Sequence, residues 1–343
     1  SIPIACSRGG PMMRSKSRMN WEGLLLGWRW QRRRRQRIGF DGIHELRRKP
    51  PVLDEPFEEP VVYNGDSHLM TFAPTGSGKG RGVIIPTLLT YPGSVVVIDP
   101  KGENYAVTAR RRRELGQQVV VLDPFGKATR GVLSGDRCNV LDIFKLPDTI
   151  VDADASMLAW QLAAGHSFSR DPFWDTTAAS FLFGLMAHVA TGVPTEDRHL
   201  NKVLSYLYAD DVVYQLATLL DSGQVICPHA YREIAAFLQL PERDTRPSVL
   251  ATALTWVKAL NTECVEKTLA DSTFNLNDLV AGRPLSIYLC IPPDKLTSHK
   301  CLLRMWVAAL LTAVLRRDRR PDRRTLFILD ECAQLGTMPL LEQ

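Results

Sequence analysis

Five short apolar runs, each ending in a carboxylate or a turn, stand out along the chain. They cover residues 68–73, 94–99, 118–123, 285–291 and 325–330. The runs are rich in Val, Ile and Leu and lack polar alternation, which is typical of strands covered on both faces of a parallel sheet. Because helical stretches separate most of them, the pattern predicts an α/β fold with a mainly parallel sheet.

The pattern changes between about residues 152 and 280, where apolar residues recur every three to four positions. That spacing predicts amphipathic helices, and we interpret the region as an all-α subdomain inserted between early and late strands of one sheet. A later apolar segment, 301–315, contains Arg304 and is shorter than a bilayer-spanning stretch, so it predicts a buried helix.

Three aspartates, Asp99, Asp123 and Asp330, each end one of the apolar runs. Ligands of parallel α/β sheets bind at the carboxyl ends of the strands, so we expect these residues on the functional edge. Aspartate is also an ordinary turn residue, and no single one of the three defines a site.

The segment 71–86, TFAPTGSGKGRGVIIP, resembles a phosphate-binding loop with two departures from the usual pattern. Ala73 stands at the first glycine, and Gly80 replaces the hydroxyl residue that normally contacts Mg²⁺. Lys79 supplies the positive charge for the β- and γ-phosphates, and Pro86 is expected to bend or end the following helix. The residues predicted to hold the nucleotide are Thr75, Gly76, Ser77, Gly78, Lys79, Gly80 and Arg81.

A second motif, TLFILDECAQLG at 325–336, is an apolar strand that ends in Asp330 and Glu331. In phosphate-loop ATPases a strand-end aspartate holds Mg²⁺ through water, and a following glutamate polarises the attacking water. The two motifs together predict a site for ATP and Mg²⁺, with Lys79 and Glu331 as catalytic residues and Asp330 as the metal-binding residue. A dinucleotide-binding enzyme is disfavoured, because the loop has a single Gly-x-Gly followed at once by Lys.

Charge is unevenly distributed over the 343 residues, whose formal net charge is +5. Residues 1–49 hold thirteen Lys or Arg against three acids, so the rest of the chain is net negative. This basic leader, taken to extend to residue 60, is interpreted as a solvated arm or as a segment for nucleic acid or an anionic membrane surface. Seven scattered cysteines without a C-x-x-C pair favour reduced thiols over a disulfide framework or a zinc site.

Weaker signals have both structural and functional interpretations. The basic clusters 110–113 and 316–324 are interpreted as solvated faces or, alternatively, as contacts for DNA phosphates. Trp160, Trp174, Trp256 and Trp306 fall on apolar helix faces and are expected in the core. The histidines lack ligand spacing, and none is assigned to a metal.

The motifs APTGSGKGRGVIIPTLL, VVVIDPKGENY, VVVLDPF, DPFWD and LFILDECAQLG follow one another in this order. As a set they resemble the coupling proteins of type IV secretion, the conjugative DNA transfer ATPases, from about residue 62 to 343. Gly80 matches that family's own form of the loop. The resemblance also covers Asp99, Lys101 and Glu103, which match a family signature of unassigned chemistry. The alternative interpretation is a turn with a local Lys–Glu pair.

The resemblance implies a RecA-like P-loop NTPase with an inserted all-α domain, assembled as a homo-oligomeric ring such as a hexamer. It implies a position at the cytoplasmic face of the bacterial inner membrane, reached through N-terminal helices or the basic leader. The implied partners are single-stranded DNA or a relaxase–DNA complex, together with the secretion channel proteins.

We expect four segments: the leader 1–60, the first part of the nucleotide-binding domain 61–151, the helical subdomain 152–280, and a return to the nucleotide-binding domain over 281–343. Because few residues follow Asp330, we expect a truncated chain. The predicted function is an ATP-driven motor that delivers DNA or a protein–DNA substrate to the channel. The alternatives are an ATP- and partner-binding receptor with little hydrolysis and a general DNA-translocating P-loop ATPase.

Overall fold

The computed structural model describes residues 23–30, 58–65, 67–72, 74, 76–130, 135–163 and 171–341. Most of the predicted leader, with the arginines at 32–35, lies outside these ranges. The chain divides into two compact units, Ser1–Tyr91 and Pro92–Gln343, and each is described by itself.

The first unit pairs two antiparallel strands, β1 (Leu24–Trp30) and β2 (Glu58–Tyr63), with a register irregularity between Leu25 and Gly27. A π-helical turn, Gly80–Ile84, continues into helix α1 (Ile85–Thr90). The Thr87 hydroxyl donates to the Leu25 carbonyl at 2.9 Å, and Leu25 and Leu88 are buried. This hydrogen bond and the small apolar core fix α1 against β1.

The strand predicted over 68–73 is not formed. Residues 67–72 make no ladder hydrogen bonds, and residue 73 lies outside the described ranges. Leu69, Met70 and Phe72 are exposed, Phe72 by 87%. An apolar run becomes a strand only where a neighbouring strand accepts its backbone hydrogen bonds, and the described residues of this unit provide no such partner for 67–72. The apolar pattern also does not predict β1 and β2, because Gly, Pro, Arg and Glu interrupt their apolar residues.

The second unit contains a four-stranded, fully parallel sheet in its described part, in the order β4 (Gln118–Leu122), β5 (Leu285–Leu289), β3 (Val95–Ile98), β6 (Leu326–Leu329). All four strands lie inside predicted apolar runs, which confirms those predictions. Strands β3 and β5 are buried throughout, as expected of central strands, whereas β6 is half-buried. In the described ranges β6 pairs only with β3.

Alternate residues of the strands point to two different layers. Val96 and Ile98 of β3 and Ile287 of β5 join the large core formed with the helices. On the opposite face Tyr288 contacts helix α2 (Glu103–Glu114), and its hydroxyl lies 2.6 Å from that of Thr108. Other elements cover both faces of the sheet, which explains why the strands lack polar alternation.

The region between β4 and β5 is helical, as the spacing of its apolar residues predicts. The helices are α3 (Val151–Ala163), α4 (Pro172–Gly192), α5 (Leu200–Leu207), α6 (Val212–Asp221), α7 (Pro228–Gln239), α8 (Thr245–Val257), α9 (Glu263–Leu269) and α10 (Leu276–Val280). After β5 come α11 (Pro293–Leu296) and α12 (Lys300–Leu315). Helix α12 is the predicted buried helix, and its Trp306 is fully buried.

Two expectations about side chains need correction. Trp256 and Trp306 are buried, but Trp160 is 37% exposed, because it lies on the outer side of α3. In the cluster 110–113, expected on a solvated face, Arg112 is fully buried and donates to Ser286 Oγ and the Gly93 carbonyl. It shares the inner face of α2 with Thr108, which the helical spacing of four residues would have indicated. No helix of the described residues is both long and apolar enough to cross a membrane.

Candidate functional site

The loop before α1 is shaped by two glycines with left-handed backbones. Gly76 has φ +80° and Gly78 has φ +89°, values that L side chains rarely adopt. The Ser77 N–H donates to the Pro74 carbonyl at 3.2 Å, and the Gly82 N–H donates to the Gly78 carbonyl at 2.7 Å. The chain therefore makes a tight turn that leads directly into a helix.

Space beside this loop is open. A Cβ atom placed on Gly76, Gly78 or Gly80 would meet no atom within 4 Å. Residues 76–78 are exposed, so their backbone is accessible to a ligand. Successive backbone N–H groups in such a turn, together with a helix N-terminus, form an anion-binding concavity. The described part of the loop therefore fits a phosphate group.

Lys79 begins the helical turn, with φ −45° and ψ −50°, and is half-buried. Arg81 is exposed in the first turn, and Thr75 and Ala73 lie outside the described residues. Pro86 stands where the π-helical turn ends and α1 begins, and the helix continues to Thr90. The Ile85 N–H bonds to the Gly80 carbonyl, so the wide turn accommodates a proline, which has no N–H of its own.

In the second unit, three aspartates lie at the carboxyl edge of the sheet, as predicted. Ile98 pairs with both Leu289 and Leu329, and Leu122 pairs with Leu289. Asp99, Asp123 and Asp330 each follow the last residue of a strand in this row. The common register therefore places all three on one rim.

Both carboxylate oxygens of Asp123 accept hydrogen bonds from the loop that follows it. Its Oδ2 accepts the N–H groups of Ala128 and Thr129 at 2.7 and 3.0 Å and the Thr129 hydroxyl at 3.1 Å. Its Oδ1 accepts the Lys127 N–H at 3.0 Å, and the side chain is buried. Asp123 is thus a structural residue that fixes the turn after β4.

Asp99 has a similar role at the start of α2. Its carboxylate accepts the Tyr105 N–H at 2.8 Å. Burial raises the pKa of this carboxyl, while backbone hydrogen bonds from Tyr105, Asn104 and Gly102 oppose the shift. Asp99 therefore satisfies donors at the first turn of the helix.

Lys101 and Glu103, the rest of that signature, are exposed and form no ion pair with each other. The local Lys–Glu pair, one interpretation of this signature, is not present. Both side chains project from the carboxyl rim beside the turn that Asp99 holds.

Asp330 and Glu331 end β6 in a strained turn. Glu331 has φ +59°, which is uncommon for a residue with a side chain, and its N–H donates to Asp330 Oδ1 at 3.2 Å. Asp330 is half-buried and Glu331 is exposed. Strained residues of this kind cluster at functional sites. Two adjacent carboxylates on the rim, neither buried, fit a hydrated Mg²⁺ ion and a water molecule.

Arg304 of α12 also contacts this segment, whereas in the sequence it indicates only that 301–315 is not a membrane span. It is fully buried and donates to the carbonyls of Leu335 and Thr337. A lone arginine inside an otherwise apolar helix was the available signal, because buried charges are rare unless they bind something.

The two sequence motifs thus each have a defined local structure. The phosphate-binding loop belongs to the first unit and the acidic pair to the second. The roles of the individual residues stay predictions.

A family model described as type IV secretory system conjugative DNA transfer matches residues 35–343. The conjugal transfer protein TraG of Rhizobium radiobacter is 28% identical over 285 residues, covering 81% of this chain and 43% of TraG. The type IV secretion system-coupling protein VirD4 of Bartonella quintana is 28% identical over 291 residues, covering 81% of this chain and 44% of VirD4. The chain spans less than half the length of these two relatives.

Among solved structures, the bacterial conjugative coupling protein TrwB is similar with a TM-score of 0.55 and 15% identity, over 76% of this chain and 55% of TrwB. TrwB bound to a non-hydrolysable ATP analogue gives a TM-score of 0.53 at 15% identity, over 76% of this chain and 56% of TrwB. At this identity the likeness concerns the fold, and with the parallel sheet it confirms the predicted RecA-like α/β P-loop fold.

Proposed function

The chain belongs to the type IV secretory system conjugative DNA transfer family, and on that premise we propose that it is an ATP-driven coupling protein. In this proposal it binds ATP with Mg²⁺ and drives DNA or a protein–DNA substrate toward a secretion channel. The observation that carries the proposal is the turn built on Gly76 and Gly78, which leads straight into Lys79 and a helix. The ATP analogue bound by TrwB, a protein of similar fold, supports the choice of nucleotide.

Binding is assigned to the loop and its lysine. The backbone N–H groups of residues 76–80 surround the β-phosphate, and the helix N-terminus adds its positive partial charge. Lys79 places an ammonium group against the β- and γ-phosphates, and Thr75 and Arg81 are assigned as further nucleotide-binding residues. Open space beside Gly76, Gly78 and Gly80 supports this assignment, because a phosphate needs close approach to the backbone.

Hydrolysis is assigned to the two acids after β6. Asp330 holds the metal through water, and Glu331 orients and polarises the attacking water. Mg²⁺, when bound with ATP, neutralises charge that develops on the phosphate oxygens. The strained backbone of Glu331 supports a catalytic role, because strain of roughly 1–3 kcal/mol persists only where the surroundings enforce it.

Nucleotide binding and steady-state ATP hydrolysis, with and without single-stranded DNA, test the proposal. Lys79→Ala should weaken ATP binding, because it removes the charge that faces the phosphates. Glu331→Gln should retain ATP binding and lose hydrolysis by roughly a hundredfold or more, because it removes the base that polarises water. Unchanged nucleotide binding by Lys79→Ala would disprove the site.

Two exposed residues remote in sequence from both motifs provide matched controls. Lys258→Ala removes an exposed lysine, and Glu242→Gln neutralises an exposed glutamate in the connection between α7 and α8. Both variants should bind and hydrolyse ATP like the unmodified chain. Equal losses in the control and test variants would show that the assay reports general charge or stability.

A receptor that binds ATP and partners with little hydrolysis is the second candidate, and Gly80 favours it. The position that usually supplies a hydroxyl to Mg²⁺ has no side chain here. Gly80→Ser separates the two candidates, since it restores that hydroxyl. A receptor limited by the missing ligand should gain Mg²⁺-dependent hydrolysis, whereas a motor of this family should gain none.

The wider assembly is proposed from the family alone. The partners are single-stranded DNA or a relaxase–DNA complex and the channel proteins, and the active form is a homo-oligomeric ring, a hexamer, at the cytoplasmic face of the inner membrane. Stimulation of hydrolysis by single-stranded DNA and native mass measurement with ATP test the substrate and the ring. Binding of the basic residues 1–49 to anionic but not neutral vesicles tests the membrane contact, because it depends on their charge.

A further inference from the structure

Arg304 connects three elements inside the second unit. Its Nε donates to the Gln161 carbonyl at 3.2 Å and its Nη2 to Gln161 Oε1 at 3.0 Å, which ties α12 to α3. Its Nη1 donates to the Thr337 carbonyl at 2.9 Å and also to the Leu335 carbonyl. One buried guanidinium therefore holds the segment after Glu331 against the helical region.

This guanidinium is fully buried, and no carboxylate in the described part of the chain pairs with it. Burial lowers the pKa of Arg304, because an uncompensated charge is unfavourable in the interior. A neutral side chain of similar volume would pack here without that cost. Stability therefore does not explain an arginine at residue 304. Its hydrogen bonds instead explain the shape of the segment that it binds.

The held segment begins at the proposed catalytic glutamate. A short 3₁₀ turn, Cys332–Leu335, follows Glu331 directly, and the Gln334 N–H donates back to the Glu331 carbonyl at 2.9 Å. Leu335 and Met338 insert into the core, so the segment is attached by apolar contacts as well as by Arg304. Only three residues separate Glu331 from the first carbonyl that Arg304 binds.

We propose that Arg304 is a positioning residue for Glu331, holding the turn after β6 so that the glutamate keeps its left-handed backbone. The inference rests on the proposed hydrolytic function. Since Arg304 also binds Gln161, a shift of α3 would move the same turn. Arg304 thereby links α3 of the helical region to the residue proposed to activate water.

The test compares two arginines with the same burial. Arg304→Met removes the guanidinium and keeps an apolar stem, and Arg112→Met does the same on α2. Arg112 is a close match, because it is also fully buried and donates to a glutamine, Gln117, and to a main-chain carbonyl, Gly93. Its contacts lie near the opposite, amino-terminal ends of the strands, where it donates to Ser286 Oγ and where Gln118 and Leu285 pair.

In the full chain we expect Arg304→Met to lower kcat for ATP by roughly a hundredfold, the scale of a 1 Å misplacement, with KM little changed. Amide hydrogen exchange should accelerate at Gln334 and Gly336, whose N–H groups bond within the held turn. Arg304→Lys, which can still donate to one or both carbonyls, should recover part of the rate. Arg112→Met should keep kcat and the exchange of this turn, even where it unfolds more easily.

Wild-type kcat in Arg304→Met, or an equal loss of kcat in folded Arg112→Met, would overturn the inference. If Arg304→Met does not fold, Arg304→Lys decides by the same two measurements. Hydrolysis that is equal in the unmodified chain and in Glu331→Gln would instead refute the proposed function. Amide hydrogen exchange would then still test the link between Arg304 and the turn. Exchange rates that are unchanged in Arg304→Met would show that Arg304 does not hold the turn.

Discussion

Gly102 and Ala128 come so close that a Cβ atom on Gly102 would lie 2.6 Å from both Cα and Cβ of Ala128. Gly102 ends the turn after β3 and Ala128 belongs to the loop after β4, the same loop that Asp123 holds together. The two loops of the rim therefore pack directly on each other. Gly102 also has φ +70°, so two independent constraints require glycine.

We expect Gly102→Ala to lower the free energy of unfolding by roughly 2–4 kcal/mol, combining overpacking with a left-handed alanine. Denaturant unfolding of the purified chain measures the loss. Gly116→Ala is the matched control, because Gly116 has φ +80° but open space around a Cβ atom. It should lose only about 1–2 kcal/mol, the backbone part of the effect. Equal losses would mean that the contact with Ala128 contributes nothing.

The aspartates on the rim should separate into structural and functional residues. Asp123→Asn replaces one acceptor oxygen by a donor that faces an N–H group, so we expect a loss of about 1–3 kcal/mol in unfolding free energy. Its Mg²⁺–ATP affinity should change little. Asp330→Asn, at the half-buried strand end, should show the reverse pattern. If Asp123→Asn weakens Mg²⁺–ATP binding more than Asp330→Asn, the assignment of roles is wrong.

The strands of the second unit could be predicted because burial on both faces produces runs of mostly apolar residues without polar alternation. The predicted run 94–99 contains the strand Val95–Ile98, and the predicted run 325–330 contains the strand Leu326–Leu329. Residues 68–73 are also mostly apolar, although they contain no Val or Ile, and 68–72 form no strand. Composition expresses the preference of a run for burial, whereas pairing depends on a partner that the run itself does not specify.

The site was predictable where chemistry and backbone constraints coincide. The glycines at 76 and 78 are required by φ, and aspartates at strand ends fall on one rim because the strands are parallel. Helical position indicates that Arg112 and Arg304 are buried, but the sequence does not identify their partners, several of which are main-chain carbonyls or side chains of other elements. Carbonyl acceptors leave no signature in a sequence.

The left-handed turn of the loop yields a prediction about nucleotide affinity. Gly78→Ala should weaken ATP binding, because an alanine at φ +89° is strained and the loop relaxes to another shape. Isothermal titration with an ATP analogue measures the effect. Gly82 lies in the π-helical turn that follows the loop, without a positive φ and with open space at its Cβ position, so Gly82→Ala should bind ATP normally. A normal affinity in Gly78→Ala would show that the observed turn is not the binding conformation.

His188 of α4 should make stability depend on pH. It is buried, its Nε2 lies 3.2 Å from the Tyr206 hydroxyl, and its Nδ1 has no partner among the described residues. Burial, with the nearby charge of Lys202, lowers the pKa of His188 from 6.5 to about 4. Because the folded pKa is the lower one, the unfolded chain takes up the proton first as pH falls.

Above pH 6.5 the imidazole is neutral in both states and has no effect. Between 6.5 and about 4 the unfolding free energy should fall by up to about 1.4 kcal/mol per pH unit through this residue. His188→Gln should remove that part of the slope, while the half-buried His199 and the buried His299 contribute equally to both proteins. His229→Gln, at a half-exposed histidine beside Asp152, should retain the slope from His188. Urea unfolding across this pH range makes the comparison, and parallel curves for His188→Gln and the unmodified chain would place the acid sensitivity elsewhere.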